Sequence, residues 1–235
     1  MAKPTVPQTL WRGKDTCQFN PEHQHTDIFY TDVKMCQDIQ IVDHGSKNAH
    51  RVLYEKALDY LGDTINAVDV GCRDGEFTRY LSWSFDHVYA FDYRRRIYFA
   101  MNINISENKV THYTCALGHK IQTENASGRG NFRSTKVDPR WKNKQQRIYT
   151  LDYFTFKDIN LIKIDVDGMD GEVIRGAMDT IKRCKPVIII EEIKSADGTP
   201  NHDGVLQLEK LGYKKVFSLK SNKIHNDYVM VPSLT

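Results

Sequence analysis

The residues best suited to chemistry lie within and directly after a short apolar run from Ala67 to Val70. Asp69 lies within this run, and Gly71 and Gly75 come directly after it. Glycines at this spacing let the backbone turn tightly and approach a ligand where a side chain would collide. The dinucleotide fingerprint needs another glycine at Arg73 to admit a pyrophosphate, so the turn favours a ligand without that group.

A second acidic residue, Asp92, ends the next apolar run, Val88 to Phe91, about 20 residues after Gly71. A carboxylate at this place can accept hydrogen bonds from both ribose hydroxyls of an adenosine. Taken singly, these residues also have ordinary explanations as a turn, a backbone partner or a helix cap. Their order along the chain, which is strand, glycine turn, helix, strand and acidic residue, indicates a nucleoside-binding site.

Further carboxylates end two later runs, with Asp165 and Asp167 near the end of Leu161 to Val166 and Glu191 after Val187 to Ile190. The carboxyl ends of parallel strands meet at one crevice, where such a group can take a proton from a hydroxyl. Asp165, Asp167 and Glu191 could together hold Mg²⁺, although Asp167 is also explained as a helix cap.

Two other residues near these carboxylates have competing interpretations. Glu192 must point away from Glu191, so only one of the two can serve the site directly. His202, in the following loop, is a candidate catalytic base and equally an exposed loop histidine.

The elements that must position these residues form an α/β pattern, because apolar β-rich runs alternate with segments of helical period. The runs are continuous, as expected of strands buried on both faces. The predicted inner strands are Ile65 to Val70, Val88 to Phe91, Val110 to Ala116, Leu161 to Val166 and Val187 to Ile190. The predicted helices are Ala49 to Leu61, Glu76 to Trp83, Arg95 to Asn104, Asp170 to Lys182 and Asp203 to Leu211. Strands Lys214 to Leu219 and Tyr228 to Val231 form a terminal antiparallel hairpin.

Two regions stand outside this pattern. Residues 1–48 are polar and irregular and are interpreted as an amino-terminal cap on a domain that spans 49–235. The segment from Arg129 to Arg147 carries seven Lys or Arg residues against one Asp, within a long insertion. It is typical of a solvated loop, but with Phe132 and Trp141 it could also bind an anionic substrate or single-stranded RNA.

Composition sets the broad class. With 235 residues, of which 40% are hydrophobic, the chain can form a substantial core. Its five cysteines form no CxxC pair, and the amino terminus has no signal-peptide core, so we expect a reducing, cytoplasm-like compartment. No apolar run is long enough to span a bilayer.

The stretch from Leu161 to Ala177 makes the chain recognisable. With the Asp69 to Gly75 turn, it resembles the FkbM family of S-adenosylmethionine-dependent O-methyltransferases, whose hallmark is a Leu-Lys-Ile-Asp-Val-Glu-Gly strand followed by a helix. The resemblance runs from about Ile65 to Pro232. The sequence departs from the family where Asp92, Asp167 and Asp170 replace Glu and where Arg73 replaces a more usual Asn.

The resemblance implies a Rossmann-like class I methyltransferase fold, with a doubly wound, mostly parallel sheet and S-adenosylmethionine as cofactor. It implies a hydroxyl acceptor on a sugar, glycan or secondary metabolite. An RNA methyltransferase and a non-catalytic binding protein are the alternatives. The implied cofactor residues are Asp69, Gly71 and Gly75 for the methionine part, Asp92 for the ribose, and Tyr93 or Arg94, Ala116 and Leu117 for the adenine.

Overall fold

The computed structural model describes residues 47–73, 75–93, 109–125, 145–166, 168–193, 203–220 and 225–233. Nearly all of the predicted cap, the predicted helix Arg95 to Asn104 and most of the basic segment lie outside these ranges. The same holds for Arg94, Asp167 and His202.

The described core is a seven-stranded sheet with a smaller three-stranded sheet beside it. The strands are β1 Asn66–Val70, β2 His87–Phe91, β3 Val110–Tyr113, β4 Ala116–Leu117, β5 Gln122–Asn125, β6 Gln145–Tyr149, β7 Ile159–Ile164, β8 Val187–Ile193, β9 Tyr213–Lys220 and β10 His225–Pro232. The helices are α1 Lys47–Leu58, α2 Glu76–Ser84, α3 Asp170–Arg175, α4 Met178–Cys184 and α5 Gly204–Lys210, with a 3₁₀ turn at Leu151–Phe154.

The large sheet has the order β3-β2-β1-β7-β8-β10-β9. Neighbours from β3 to β8 are parallel, and β10 is antiparallel to both β8 and β9. The expected parallel sheet with a terminal antiparallel hairpin is therefore confirmed. The chain leaves β1 towards β2 on one side and returns to β7 on the other, which opens a crevice at the carboxyl ends of β1 and β7.

Alternate residues of the inner strands face two separate apolar cores. Val68 and Ile162 pack in a core that includes residues of α3, α4 and α5. Ala67 and Leu161 pack in a second core with residues of α1 and α2. Because side chains alternate along a strand, Asp69 and Lys163 lie on the same face as the second core.

The predicted strand Val110 to Ala116 is wrong as a single element. The chain bends after Tyr113, so β3 pairs with β2 in the large sheet while β4 pairs with β6 in the small one. Residues on both sides of the bend are buried, including Tyr113 and Leu117. A continuous apolar run therefore hides the change of sheet.

The predicted helix Asp170 to Lys182 is also wrong as one element, since it is divided between α3 and α4. A side chain at Gly176 would collide with the Gly118 carbonyl, which shows how closely the chain passes the β4 segment at this break. The start of α4 has its own cap, because the Asp152 carboxylate accepts the N–H groups of Asp179 and Thr180 at 3.1 and 2.8 Å. The remaining described helices match the predictions to within three residues at each end.

Over the ranges given above, no helix is both long and apolar enough to cross a membrane.

Candidate active site

The glycine turn after β1 is held against two neighbouring strands. Gly71 and Gly75 have φ angles of 81° and 88°, which favour glycine over residues with a side chain. The N–H groups of Gly71 and Cys72 donate to the Phe91 carbonyl at 2.9 and 3.1 Å. A Cβ on Gly71 would collide with the Asp165 carbonyl oxygen. The turn is thus fixed between the ends of β2 and β7.

Asp92 lies beside this turn at the end of β2 and is only 4% exposed. Its Oδ2 accepts the backbone N–H of Arg73 at 3.2 Å. Arg73 has a φ of 48°, a left-handed conformation in which the Asn usual in the family is well tolerated. Asp92 therefore supports the turn from the side on which the ribose was predicted to bind.

Of the four residues predicted near the adenine, the three that the structure describes lie close in sequence to the ends of β2 and β3. Tyr93 follows Asp92 and is half-buried. Ala116 and Leu117 form β4, are 9% and 4% exposed, and pair with Ile148 and Tyr149 of β6. Packing against β6 already explains why Ala116 and Leu117 are buried, so their role in cofactor binding stays a prediction.

An ion-paired triad joins β1 to β7, in which Lys163 and Asp69 are buried and the Asp165 side chain is 35% exposed. The Lys163 ammonium lies 3.3 Å from Asp69 Oδ1 and 3.3 Å from Asp165 Oδ2. It also donates to the Gly71 carbonyl at 3.2 Å. Asp69 is fully buried, and its Oδ2 accepts the Thr78 hydroxyl at 2.5 Å. The structure brings Asp69 and Asp165 together through a residue that the sequence interpretation had assigned no role.

The charges in this triad stabilise one another. Burial lowers the pKa of Lys163, but the carboxylates of Asp165 and Asp69 outweigh it and raise that pKa above its usual range. Burial raises the pKa of Asp165, whereas the Lys163 ammonium lowers it, and the net result is a pKa below the ordinary value. Asp165 is therefore an anion at neutral pH, which suits an orienting or electrostatic group better than a strong base.

Glu191 extends the cluster from β8. The strand continues to Ile193, so Glu191 and Glu192 lie within it and point to opposite faces. Glu191 lies close enough to Asp165 to act on its pKa, and its Oε1 is 2.6 Å from His225 Nδ1. Glu192 instead accepts the Tyr228 hydroxyl at 3.3 Å on the other face. Glu191 is thus the member of the pair that lies beside Asp165.

His50 and Glu76 border the same region from α1 and α2. His50 Nδ1 lies 3.1 Å from Glu76 Oε2, and the ring meets Phe77 edge-on at 5.8 Å. Burial lowers the pKa of His50, but its hydrogen bond and charge interaction with Glu76 raise it, with a net increase above the ordinary value. Neither residue was singled out in the sequence.

Asp170 holds the segment that follows Asp165. It is fully buried at the start of α3, and its Oδ1 accepts the Val166 N–H at 3.2 Å. Burial, followed by the charge of Asp165, raises the pKa of Asp170 to about 7. Asp170 therefore closes the turn after β7 against its own helix.

The predicted Mg²⁺ site receives no support. Among the described residues, no three His, Cys, Asp or Glu side chains are grouped so that they could hold a metal ion. Asp167 lies outside those residues, and the Lys163 ammonium sits against Asp165 Oδ2. A cation already paired with this carboxylate disfavours a second one at the same oxygen.

The site residues that the sequence analysis did not predict differ in whether the sequence indicated them. Lys163 could have been found, because it is a charged residue between Ile162 and Ile164 in an otherwise apolar run. His50 and His225 had none, since they come from a helix before the sheet and from the terminal hairpin. Only the fold brings those two near Asp165 or its partner Glu191.

A seven-stranded sheet in this order, with a glycine turn and acidic residues at the switch between β1 and β7, defines a Rossmann-like methyltransferase fold. Residues 69–215 match the methyltransferase FkbM domain. This is more than half of the chain, so the protein belongs to the FkbM family of S-adenosylmethionine-dependent methyltransferases, as the sequence resemblance predicted.

Solved structures agree with this fold. Methyltransferase FkbM from Methylobacillus flagellatus KT matches with a TM-score of 0.50 at 16% identity, over 71% of this chain and 44% of that one. A precorrin-6y C5,15-methyltransferase from Geobacter metallireducens GS-15 matches with a TM-score of 0.52 at 16% identity, over 87% and 94%. The chain thus spans less than half the length of the FkbM structure. No curated protein sequence matches it.

Proposed function

We propose that this protein transfers a methyl group from S-adenosylmethionine to a hydroxyl of a sugar, glycan or secondary metabolite. The observation that carries the proposal is the position of Asp165 beside the glycine turn and of Glu191 beside Asp165. They lie at the carboxyl ends of β7 and β8, where ligands of this fold class bind. Methylation of a hydroxyl releases a proton, and a carboxylate pair at this place can orient the acceptor and receive that proton.

The residues fit the methyl donor. Gly71 and Gly75 present no side chain at two positions of the turn, and the buried Asp92 carboxylate is suited to ribose hydroxyls. The carboxylates of Asp69 and Asp165 complement the positive charges of the donor's ammonium and sulfonium groups. When bound, S-adenosylmethionine supplies a methyl group that is transferred by in-line displacement.

The protein's part in this reaction is alignment and proton removal. Asp165, held as an anion by Lys163, orients the acceptor hydroxyl. Glu191, paired with His225, takes the proton, and the partly exposed imidazole can pass it to solvent. His202 is the other predicted base.

RNA is the second candidate acceptor, on account of the basic segment with Phe132 and Trp141. Of that segment the structure describes only residues 145–147, and Arg147 lies over the Tyr149 ring at 5.4 Å. A cytoplasm-like location is part of the proposal, supported by the free thiols of Cys72, Cys115 and Cys184.

The test is transfer of label from methyl-labelled S-adenosylmethionine into fractions of a lysate from the native host. We expect label in small-molecule or glycan fractions, in a bond stable to mild alkali, as an ether is. Label confined to ribonuclease-sensitive material would favour RNA, and filter binding should then weaken steeply with salt. If the donor binds but no fraction is labelled and no S-adenosylhomocysteine forms, the protein is a binding protein only.

A further inference from the structure

Lys163 presents a buried charge at the point where the glycine turn meets β7. Its side chain is 6% exposed, and its ammonium contacts Asp69, Asp165 and the Gly71 carbonyl. The same ammonium lies 5.8 Å from the centre of the Phe77 ring. These contacts connect the turn, the predicted catalytic carboxylate and the start of α2.

Stability alone does not account for a lysine at this position. Leu161, two residues earlier on the same strand face, is fully buried among apolar residues. Replacing buried ion pairs by apolar residues of similar size is often neutral or stabilising, because desolvation offsets the attraction. The Lys163 charge also lies at the crevice end of β7, whereas Leu161, the preceding residue on this face, is apolar.

We propose that Lys163 is a positioning residue that keeps the Asp165 carboxylate anionic beside the glycine turn and thereby holds the site's preference for the charged methyl donor over its neutral product constant around neutral pH. The proposal rests on the proposed function in one respect, namely that S-adenosylmethionine is the donor. Two carboxylates and one ammonium leave the triad with one net negative charge. S-adenosylmethionine carries a sulfonium charge that S-adenosylhomocysteine lacks, so the triad favours the donor and helps the product to leave.

Removal of the ammonium should change how this part of the site titrates. The carboxylates of Asp69 and Asp165, which both lie 3.3 Å from this ammonium, would then be close together without a cation between them, and one of them would take up a proton at neutral pH. Asp165 is the expected acceptor, because Asp69 keeps the Thr78 hydroxyl as a donor. Among the described residues, the other titratable groups that interact with the triad are His50, Cys72, Glu191 and Asp170, with Glu76 bound to His50.

The experiment measures dissociation constants of S-adenosylmethionine and S-adenosylhomocysteine by calorimetry from about pH 5.5 to 8.5. The readout is the ratio of the two constants, which cancels effects that both ligands share. In Lys163→Met we expect a titration step additional to that of Asp170, which the wild type shares. The preference for the donor should be about tenfold lower on the acid side of this step than on its alkaline side. A ratio profile unchanged from the wild type in a folded Lys163→Met protein would overturn the proposal.

Two further variants test whether the carboxylate pair is the titrating unit. The double variants Lys163→Met with Asp165→Asn and Lys163→Met with Asp69→Asn should both lose the added step, because the remaining carboxylate no longer has an ionised neighbour. Persistence of the same step after Asp165→Asn would assign it elsewhere and contradict the proposal. Lys109→Met is the matched control, since Lys109 also donates to a backbone carbonyl, that of Phe85 at 3.2 Å, far from the turn. It should leave the ratio unchanged.

Variants that keep Lys163 make the proposal testable even if Lys163→Met does not fold. Asp165→Asn alone should lower the preference for the donor about tenfold at every pH, because the triad then carries no net charge. An unchanged preference in that folded variant would overturn the proposal. If the wild type binds neither compound, the proposed function fails; if every variant binds both with the wild-type ratio, only the role of Lys163 fails.

Discussion

The two faces of strands β1 and β7 differ sharply at the crevice end. On one face, Val70 and Ile164 continue the apolar core to the last residue of each strand. On the other face, Asp69 and Lys163 replace apolar side chains and pair with each other at 3.3 Å. Adjacent residues in one strand thus serve different purposes, because alternation sends one to the core and the next to the site.

Because of this difference, residues that stabilise the fold and residues that serve the site can be substituted separately. Substitutions on the apolar face should reduce stability and leave ligand binding by the folded protein intact. Substitutions on the charged face should alter binding or turnover, with smaller effects on folding. The following predictions test this separation.

The largest effect is expected for Asp165→Asn, which keeps the shape of the side chain and removes its charge. The chemical step should slow by roughly 10² to 10⁴ while donor affinity falls by no more than about tenfold. Single-turnover kinetics with a labelled donor and an acceptor fraction would measure this. Wild-type turnover should be insensitive to EDTA; loss with EDTA and recovery with Mg²⁺ would instead make Asp165 a metal ligand.

On the apolar face, Ile162→Ala should lower the free energy of unfolding by about 2 to 5 kcal/mol, because Ile162 is fully buried and a cavity would remain. Urea denaturation measures the loss, and calorimetry at a temperature where the variant is folded should give the wild-type donor affinity. Ile162→Val is the control and should cost roughly 0.5 to 1.5 kcal/mol. A specific loss of donor affinity in either variant would mean that the two faces are not separable.

Asp92→Ala should weaken donor binding by roughly 1.5 to 3 kcal/mol, because a charged acceptor for the ribose hydroxyls is removed. Calorimetry measures this loss. Asp152→Ala is a matched control, since Asp152 also accepts backbone N–H groups but caps α4 instead of the turn. Equal affinity in folded Asp92→Ala and wild-type protein would leave Asp92 as a support of the turn only.

The smallest effect concerns Asp170, whose pKa is raised to about 7 by burial and by the charge of Asp165. A carboxyl with a folded-state pKa above its unfolded value of 3.8 favours folding when protonated. Its contribution is complete below about pH 4 and is lost as the pH rises towards 7. Asp170→Asn should therefore become more stable relative to the wild type over this range.

Urea denaturation at several pH values between about 4 and 8 measures the Asp170 effect. Asp165→Asn should shift the wild-type transition to lower pH, because it removes the second cause of the raised pKa. A stability difference between Asp170→Asn and the wild type that does not change with pH would contradict the assignment.

The fold class, the family and most of the inner strands, with the acidic residues that follow them, could be predicted from the sequence. Continuous apolar runs identify strands buried on both faces, and the turn from Gly71 to Gly75 marks where the first one ends. These are local properties of the chain, so they can be recognised without knowledge of the fold. Lys163 also stands out in the sequence as a charged residue in an apolar run, but its pairing with Asp69 and Asp165 does not.

The points at which an element bends or breaks, and the partners of the site residues, depend on the tertiary structure and not on local sequence patterns. The bend between β3 and β4 and the break between α3 and α4 follow from which sheet or helix each segment packs against, not from its own apolarity. Likewise, His225 comes to Glu191 only because β10 inserts beside β8. The fold alone determined that Lys163 would lie between two carboxylates, because that geometry depends on the pairing of β1 with β7.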